Sequence, residues 1–445
     1  MDDTRMGTMP VRPLLLRMAW PMMLSMLIQA LYNLVDSMFV SRLSGAAFEA
    51  LSLAYPVQMC MVAVCVGTGV GLNALLSRRL GEGDREEAWK VALNGVFLYL
   101  LCWLLFLAFG LGLSRPFMAF FTGDPAIAVP GRTYLTIVTC ASVGMTMQFA
   151  SERILLACGD PIGPMVIQGI GAVVNLILDP LLIFGLGPFP ALGVAGAATA
   201  TVLGQLTGMA AGLLLLRRLR RFPLSPRGFR PRKDILAEIC RVGIPAAAMQ
   251  SLSSVMTLGL NKIMALYDPS AVFILGAYFK LQTFLIMPVA GLTNGLTPLV
   301  AYNYGARSRS RILSLTRFAL ALGAAIMAAG AALLLLIPGP LLGLFGADAA
   351  VLSSGVPALR MIAVGLVFAG VTTILCAVFQ ALGSAGVSLA LSLLRQVVLI
   401  LPVAWLLGRF SAGLMWLSFP FAELLSCLAA LLLFRRISRK QLSSL

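Results

Sequence analysis

The sequence predicts an all-α integral membrane protein of 12 transmembrane helices in two six-helix lobes related by an internal repeat. Three observations predict it. Hydrophobic residues make up 60% of the 445 positions and charged residues only 11%, with a mean hydropathy of +0.95. Soluble domains carry roughly twice that charge, so most of this surface faces lipid rather than water. Apolar runs of about 20 residues, long enough to cross a core about 30 Å thick, recur twelve times. Finally, the second half repeats the first at a shift of 224: Pro21 aligns with Pro245, Gly71 with Gly295, Gly81 with Gly305 and Gly159 with Gly383, without a gap. Near the ends Leu213–Arg218 matches Leu431–Arg436, so the shift there is 218.

The first lobe is expected over 1–216, with spans at 14–40, 47–77, 90–114, 130–157, 163–185 and 192–216. Residues 217–234 read as a basic cytoplasmic linker, since the run RRLRRFPLSPRGFRPRK holds Pro223, Pro226 and Pro231 and cannot be a span. The second lobe follows over 235–434, with spans at 235–266, 272–303, 312–337, 356–381, 387–408 and 412–434, and 435–445 form a tail. Prolines inside spans, Pro21, Pro56, Pro180, Pro245, Pro288, Pro298 and Pro402, each remove a helix hydrogen bond and read as bends beside cavities.

The formal charge of +16 is distributed as a topology signal rather than a nucleic-acid surface. Arg78, Arg79, Arg85 and Lys90, then the linker, then Arg307, Arg309 and Arg311, then Arg435, Arg436, Arg439 and Lys440 fall in alternate loops. With an even number of spans, that bias puts both termini in the cytoplasm, and a bacterial inner membrane is the expected location. The N-terminus has acids first and no cleavable apolar stretch, so the first span reads as the insertion signal. Eight scattered cysteines without a CxxC pair read as small core residues.

Buried acids carry the local signal, because a carboxylate at mid-membrane must be protonated, paired or exposed to an internal cavity. Asp36, Asp179 and Glu423 lie deep in apolar stretches. Gln29, Tyr32 and Asn33 share the helix face of Asp36. Asn175 stands four before Asp179, and Pro180 leaves the Leu176 carbonyl without its usual donor. Two carboxylates, an amide and a bare carbonyl suit a proton or a hard cation such as Na+. Lys262, Lys280 and Arg395 are basic residues within second-half spans, able to line a cavity or pair with Glu423. Glu152, followed at once by Arg153, reads as a boundary residue. No GxxxxGK[ST] loop holds ATP phosphates, and with no histidine imidazole relays, HExxH zinc sites and Ser-His-Asp triads are excluded. An ion gradient is the implied energy source, and no enzyme activity or further cofactor is expected.

At NLVDSMFVSRL, at LDPLLIFG with GVAGAATATVLGQ after it, and at GLTNGLTPLVAYNYGA, the chain resembles a multidrug and toxic compound extrusion (MATE) transporter from about Leu14 to Arg436. The resemblance implies two lobes around a central cavity, exchanging H+ or Na+ for small organic cations or drugs by alternating access, in a monomer with no partner beyond membrane lipid. By position in those motifs, the family's first-helix carboxylate falls on Asp36 and its fifth-helix amide and carboxylate on Asn175 and Asp179. A sixth-helix hydroxyl falls on Thr201, with Thr199 the alternative. Some members place acids in helices seven and ten, where this chain offers Asn261, Lys262 and no acid. Substrate contacts are expected from Gln29, Tyr32, Asn33, Asn73, Gln148, Gln282 and Lys280. A lipid or lipid-linked precursor flippase is the alternative, since Lys262, Lys280 and Arg395 could meet an anionic headgroup. If Asp36 couples the ion, Asp36→Asn abolishes gradient-driven efflux from proteoliposomes; unchanged efflux would remove it from the mechanism.

Overall fold

The computed structural model describes residues 5–218 and 229–443, with the side chains of residues 32–34, 36, 37, 40 and 41 outside that description. The regular secondary structure of the described residues is all helical, with no strand. Among the described residues ten helices are long and apolar enough to cross a membrane, and twelve spans result when each of two bent pairs is counted as one. The described residues divide into two compact units: residues 24–218 with 229–247, and residues 5–23 with 248–443. The divisions fall after Met23 and after Ala247, positions that are themselves 224 apart. They run through helices Val11–Ser41 and Lys233–Tyr267 rather than through the connecting loop.

Glycine spacing explains which segments each unit holds. In the first unit, Gly67 and Gly71 of helix Gly45–Gly81 lie against the segment from Ile239 to Ala247. A Cβ on Gly67 would stand 2.5 Å from the Gly243 carbonyl, and one on Gly71 would collide with the Ile239 carbonyl. In the second unit, the equivalent Gly291 and Gly295 of helix Pro269–Gly305 lie against Met18 to Met23, where a Cβ on Gly295 would be 2.9 Å from the Ala19 nitrogen. Glycines four apart let helix backbones touch where lipid supplies no hydrophobic drive for association. Residues 239–247 therefore pack in the first unit and 18–23 in the second.

The fourth span is Pro125–Cys140 with Val143–Ala157, bent by 43°, and the tenth is Ala349–Ala363 with Leu366–Ala381, bent by 44°. These breaks lie at equivalent places in the repeat. At the first, the interrupted ladder is repaired by side chains: the Trp103 indole donates to the Cys140 carbonyl at 3.1 Å, and the Ser142 hydroxyl to the Thr139 carbonyl at 2.7 Å. No proline stands at either break. The helices instead run through Pro21, Pro56, Pro180, Pro245, Pro288 and Pro298, so proline position does not locate the sharp bends. Short helices Ser114–Phe121 and Pro338–Gly343, 224 apart at their starts, precede the bent spans in the two halves. Gly159 and Gly383 both end bent spans at φ 79° and 78°, which accounts for glycine at both positions.

Each unit has an arginine tether at a polar end. In the first, Arg232 donates to both Glu87 carboxylate oxygens at 2.7 and 2.9 Å, and its backbone N–H to Asn94 Oδ1 at 2.8 Å. In the second, Arg311 donates to the carbonyls of Met6 and Met9 at 3.1 and 2.8 Å and to Asn303 Oδ1 at 2.9 Å. All eight cysteines are unbridged. Cys65, Cys158, Cys376 and Cys427 are buried, whereas Cys60 is exposed and so is not a core residue.

If the glycine contacts hold the first unit together, Gly71→Leu lowers thermal stability by about 1–3 kcal/mol or more through overpacking. Gly276→Leu, at a glycine with nothing within 4 Å of an added Cβ, leaves it unchanged. Equal melting of the two purified variants would contradict this account.

Candidate functional site

A cavity of about 570 Å³ lies within the first unit, in the size range of drug-sized ligand sites. Three helices build its polar side. The fifth span, Ile162–Phe184, starts where Asp160 Oδ1 accepts from the N–H groups of Ile162 and Gly163, both at 3.2 Å. Its spacing then puts Gln168, Gly171, Asn175 and Asp179 on one face. The sixth span, Val194–Arg218, presents Thr201, Gly204 and Gln205. The second half of the fourth span, Val143–Ala157, presents Met145, Gln148, Phe149 and Glu152, because the bend after Cys140 turns it inward.

A glycine every fourth residue in the sixth span brings these helices together. A Cβ on Gly204 would lie 2.8 Å from the Gly171 carbonyl, one on Gly208 2.6 Å from Gln148 Oε1, and one on Gly212 2.6 Å from Ser151 Cβ. The stripe makes room for Gln148, and with it for the acid beside it.

Glu152 is 3% exposed. Its carboxylate accepts from Gln148 Nε2 at 3.0 Å and from Gln168 Nε2 at 3.1 Å, and Gln168 Oε1 in turn accepts from the Ser25 hydroxyl. Both amides turn their donor ends to the acid, as an acceptor-only carboxylate requires. Facing it are Phe48, Tyr55, Tyr134 and Phe149 with Met59, Met61 and Met145. Aromatic faces attract cations and methionine adapts its shape. Gln58 donates to the Tyr134 hydroxyl at 2.7 Å. No lysine or arginine is among the described lining residues.

The second polar group lies farther along the fifth span. Asn175 Nδ2 points at Asp179 Oδ1 at 3.5 Å and at Thr201 Oγ1 at 3.4 Å, long contacts both. The Thr201 hydroxyl donates to the Ala197 carbonyl at 3.0 Å. Asn175 Oδ1 is buried with no partner among the described residues, and Asp179 is fully buried. Asn175 and Thr201 line the cavity while Asp179 stands behind them. These oxygens are hard donors that fit H+ or Na+. Among the described residues no three His, Cys, Asp or Glu side chains form a metal cluster.

The structure thus brings Asn175, Asp179 and Thr201 together, and puts Gln29 and Gln148 on the cavity wall. The side chains of Asp36, Tyr32 and Asn33 lie outside the described residues. Asn73 is elsewhere: it is buried, donates to the Arg153 carbonyl at 3.4 Å, and does not line the cavity. Gln282 and Lys280 belong to the second unit, and Lys280 stands 5.8 Å from the Phe345 ring centre. Glu152 corrects the boundary reading of the Glu–Arg pair. Neighbouring residues on a helix diverge by about 100°, so Glu152 meets the cavity while Arg153 packs beside Gly69, where an added Cβ would lie 2.8 Å from both Arg153 Nε and the Tyr99 hydroxyl. Gln148 four residues earlier was the available signal.

An all-helical fold of two units with a polar-floored cavity defines a membrane transporter. The chain belongs to the MatE family, whose sequence model matches residues 21–181 and 245–406, once in each half. It is 28% identical over 441 residues to a FAD transporter of Shewanella oneidensis, covering 96% of this chain and 95% of that one. It is 27% identical over 426 residues to the multidrug export protein MepA of Staphylococcus saprophyticus, covering 93% and 91%. The crystal structure of MATE in complex with MaL6 shares its fold at a TM-score of 0.92, with 24% identity and 100% of both chains covered.

Proposed function

We propose that this transporter exports organic, mostly cationic compounds across the bacterial cytoplasmic membrane in exchange for H+ or Na+, by alternating access, with both termini inside. The observation that carries the reading is Glu152: a buried carboxylate held by two amides at the floor of an aromatic cavity without a described basic residue. A flat cation entering it exchanges water for ring faces and one fixed negative charge.

The Asn175, Asp179 and Thr201 oxygens supply the coupling-ion site. From Gln168 to Asp179 is eleven residues, roughly 16 Å of helix. A positive charge taken up there repels a cation on Glu152 by about 1 kcal/mol at an effective dielectric near 20. Ion uptake from outside therefore favours substrate release, and each charge crossing 100 mV supplies about 2.3 kcal/mol toward the cycle.

The relative named as a FAD transporter raises an anionic substrate as the second reading, and the flippase alternative raises an anionic headgroup. The cavity's charge disfavours both. In the second unit Arg395 is engaged by Glu423 at 3.4 Å, which withdraws it from a headgroup.

In vesicles with pH and Na+ gradients imposed separately, one of the two drives efflux of a fluorescent organic cation; transport under neither ends the antiport reading. In the same assay Glu152→Gln weakens cation affinity about tenfold, the scale of one charge-assisted contact, without weakening FAD binding. Asp179→Asn keeps cation binding but loses the gradient response. A Glu152→Gln protein with unaltered cation affinity would exclude Glu152 from the substrate site.

A further inference from the structure

The repeat lets each cavity residue of the first unit be matched to a residue of the second. Gly171 corresponds to Arg395 at the shift of 224, and Gln205 to Glu423 at the shift of 218. In the first unit Gly171 and Gln205 both line the cavity. In the second, Arg395 Nη1 donates to Glu423 Oε2 at 3.4 Å, with side chains only 21% and 13% exposed. The counterpart of Glu152 is Cys376, which lies in an apolar cluster with Leu375, Phe379, Leu391 and Ala430.

The second unit thus buries an acid at its version of this face, but on the twelfth span instead of the tenth. It also sets a guanidinium where the first unit has no side chain at all. Arg395 lies in a π-helical turn, Leu394–Leu399, between Ala385–Leu393 and Ile400–Gly408. Such single turns inside helices shift side-chain register and recur at functional sites. Beside the pair in sequence, Gln396 Oε1 and Ser426 Oγ are buried without a partner among the described residues. Unsatisfied buried polar atoms are uncommon in packed interiors, so this face keeps unspent hydrogen-bonding capacity around the pair.

We propose that Arg395 is a specificity-determining residue that makes the second lobe refuse organic cations: it neutralises Glu423, and without it Glu423 forms a second cation-binding site. This rests on the cationic substrate class argued above. A carboxylate already paired in a low-dielectric setting offers an incoming cation no net charge, and binding would have to strand the guanidinium unpaired. With glycine at 395, as at 171 in the first unit, the acid keeps its place and gains both space and charge.

The test is equilibrium binding of ethidium, a permanently charged aromatic cation, to the purified full-length protein. Arg395→Gly raises the stoichiometry from one ethidium per chain to two. In a Glu152→Gln background, where affinity has fallen about tenfold, adding Arg395→Gly restores it, and adding Glu423→Gln removes the restored binding again. Arg395→Gln, which keeps more of the side-chain volume, serves in every arm if the glycine variant does not fold. The proposal is overturned if neither substitution at 395 adds a second equivalent or rescues the Glu152→Gln protein. Should Glu152→Gln alone leave affinity unchanged, the first-lobe reading fails, and the stoichiometry of Arg395→Gly in the unaltered protein still decides this one.

Discussion

A carboxylate carried into hydrocarbon has no water to solvate it, and the fold is arranged around that constraint. Three described acids lie deep inside the spans, away from their ends, and each meets it differently. Glu152 takes two amide donors from Gln148 and Gln168 and faces a cavity. Asp179 is fully buried behind Asn175 and Thr201. Glu423 takes a guanidinium. On the proposed reading the first solution leaves charge for a ligand and the second places oxygens for a small ion, while in the third the guanidinium offsets the charge locally. The proposed division of labour within the transporter rests on those differences in partner.

Presenting such groups requires close helix approach, which glycine supplies. Gly204, Gly208 and Gly212 let the sixth span touch the fifth and fourth, and the room beside Gly208 holds Gln148, one of the two amides on Glu152. The pairs Gly67 with Gly71 and Gly291 with Gly295 do the same for the segments around Gly243 and Ala19. A side chain at any of these positions would separate helices that have no apolar force drawing them together in lipid. Glycine spacing thus governs both the boundary of each unit and the shape of its polar face.

Much of this was legible in sequence, for identifiable reasons. The repeat and the spans are long-range patterns in hydropathy, which averaging over twenty residues reveals. Asn175 and Asp179 were legible because four-residue spacing fixes a shared face whatever the tertiary fold, and Thr201 came from the family motif. The bends at Cys140 and Ala363 were not. At the first, Trp103 and Ser142 take over backbone carbonyls, a tertiary event that no local pattern announces, whereas the prolines that do announce themselves are absorbed within continuous helices. Glu152 was missed because adjacency to Arg153 was weighed over helical phase. Asn73 was overestimated because a polar residue in a span can as readily satisfy a neighbouring carbonyl, as it does at Arg153.

The two halves differ where function concentrates and agree where packing does. Gly67 and Gly71 return as Gly291 and Gly295, and Gly159 returns as Gly383, all at places where backbone proximity or a positive φ demands glycine. The polar face does not return: Asn175 is matched by Leu399, Asp179 by Val403, Glu152 by Cys376 and Gly171 by Arg395. On the proposed reading, keeping the acids that lack a guanidinium hydrogen bond in one lobe puts ion and substrate on the same stretch of the fifth span, where about 1 kcal/mol of repulsion links them. On the same reading the second lobe, its Glu423 held by Arg395, supplies a matching scaffold without offering a competing site.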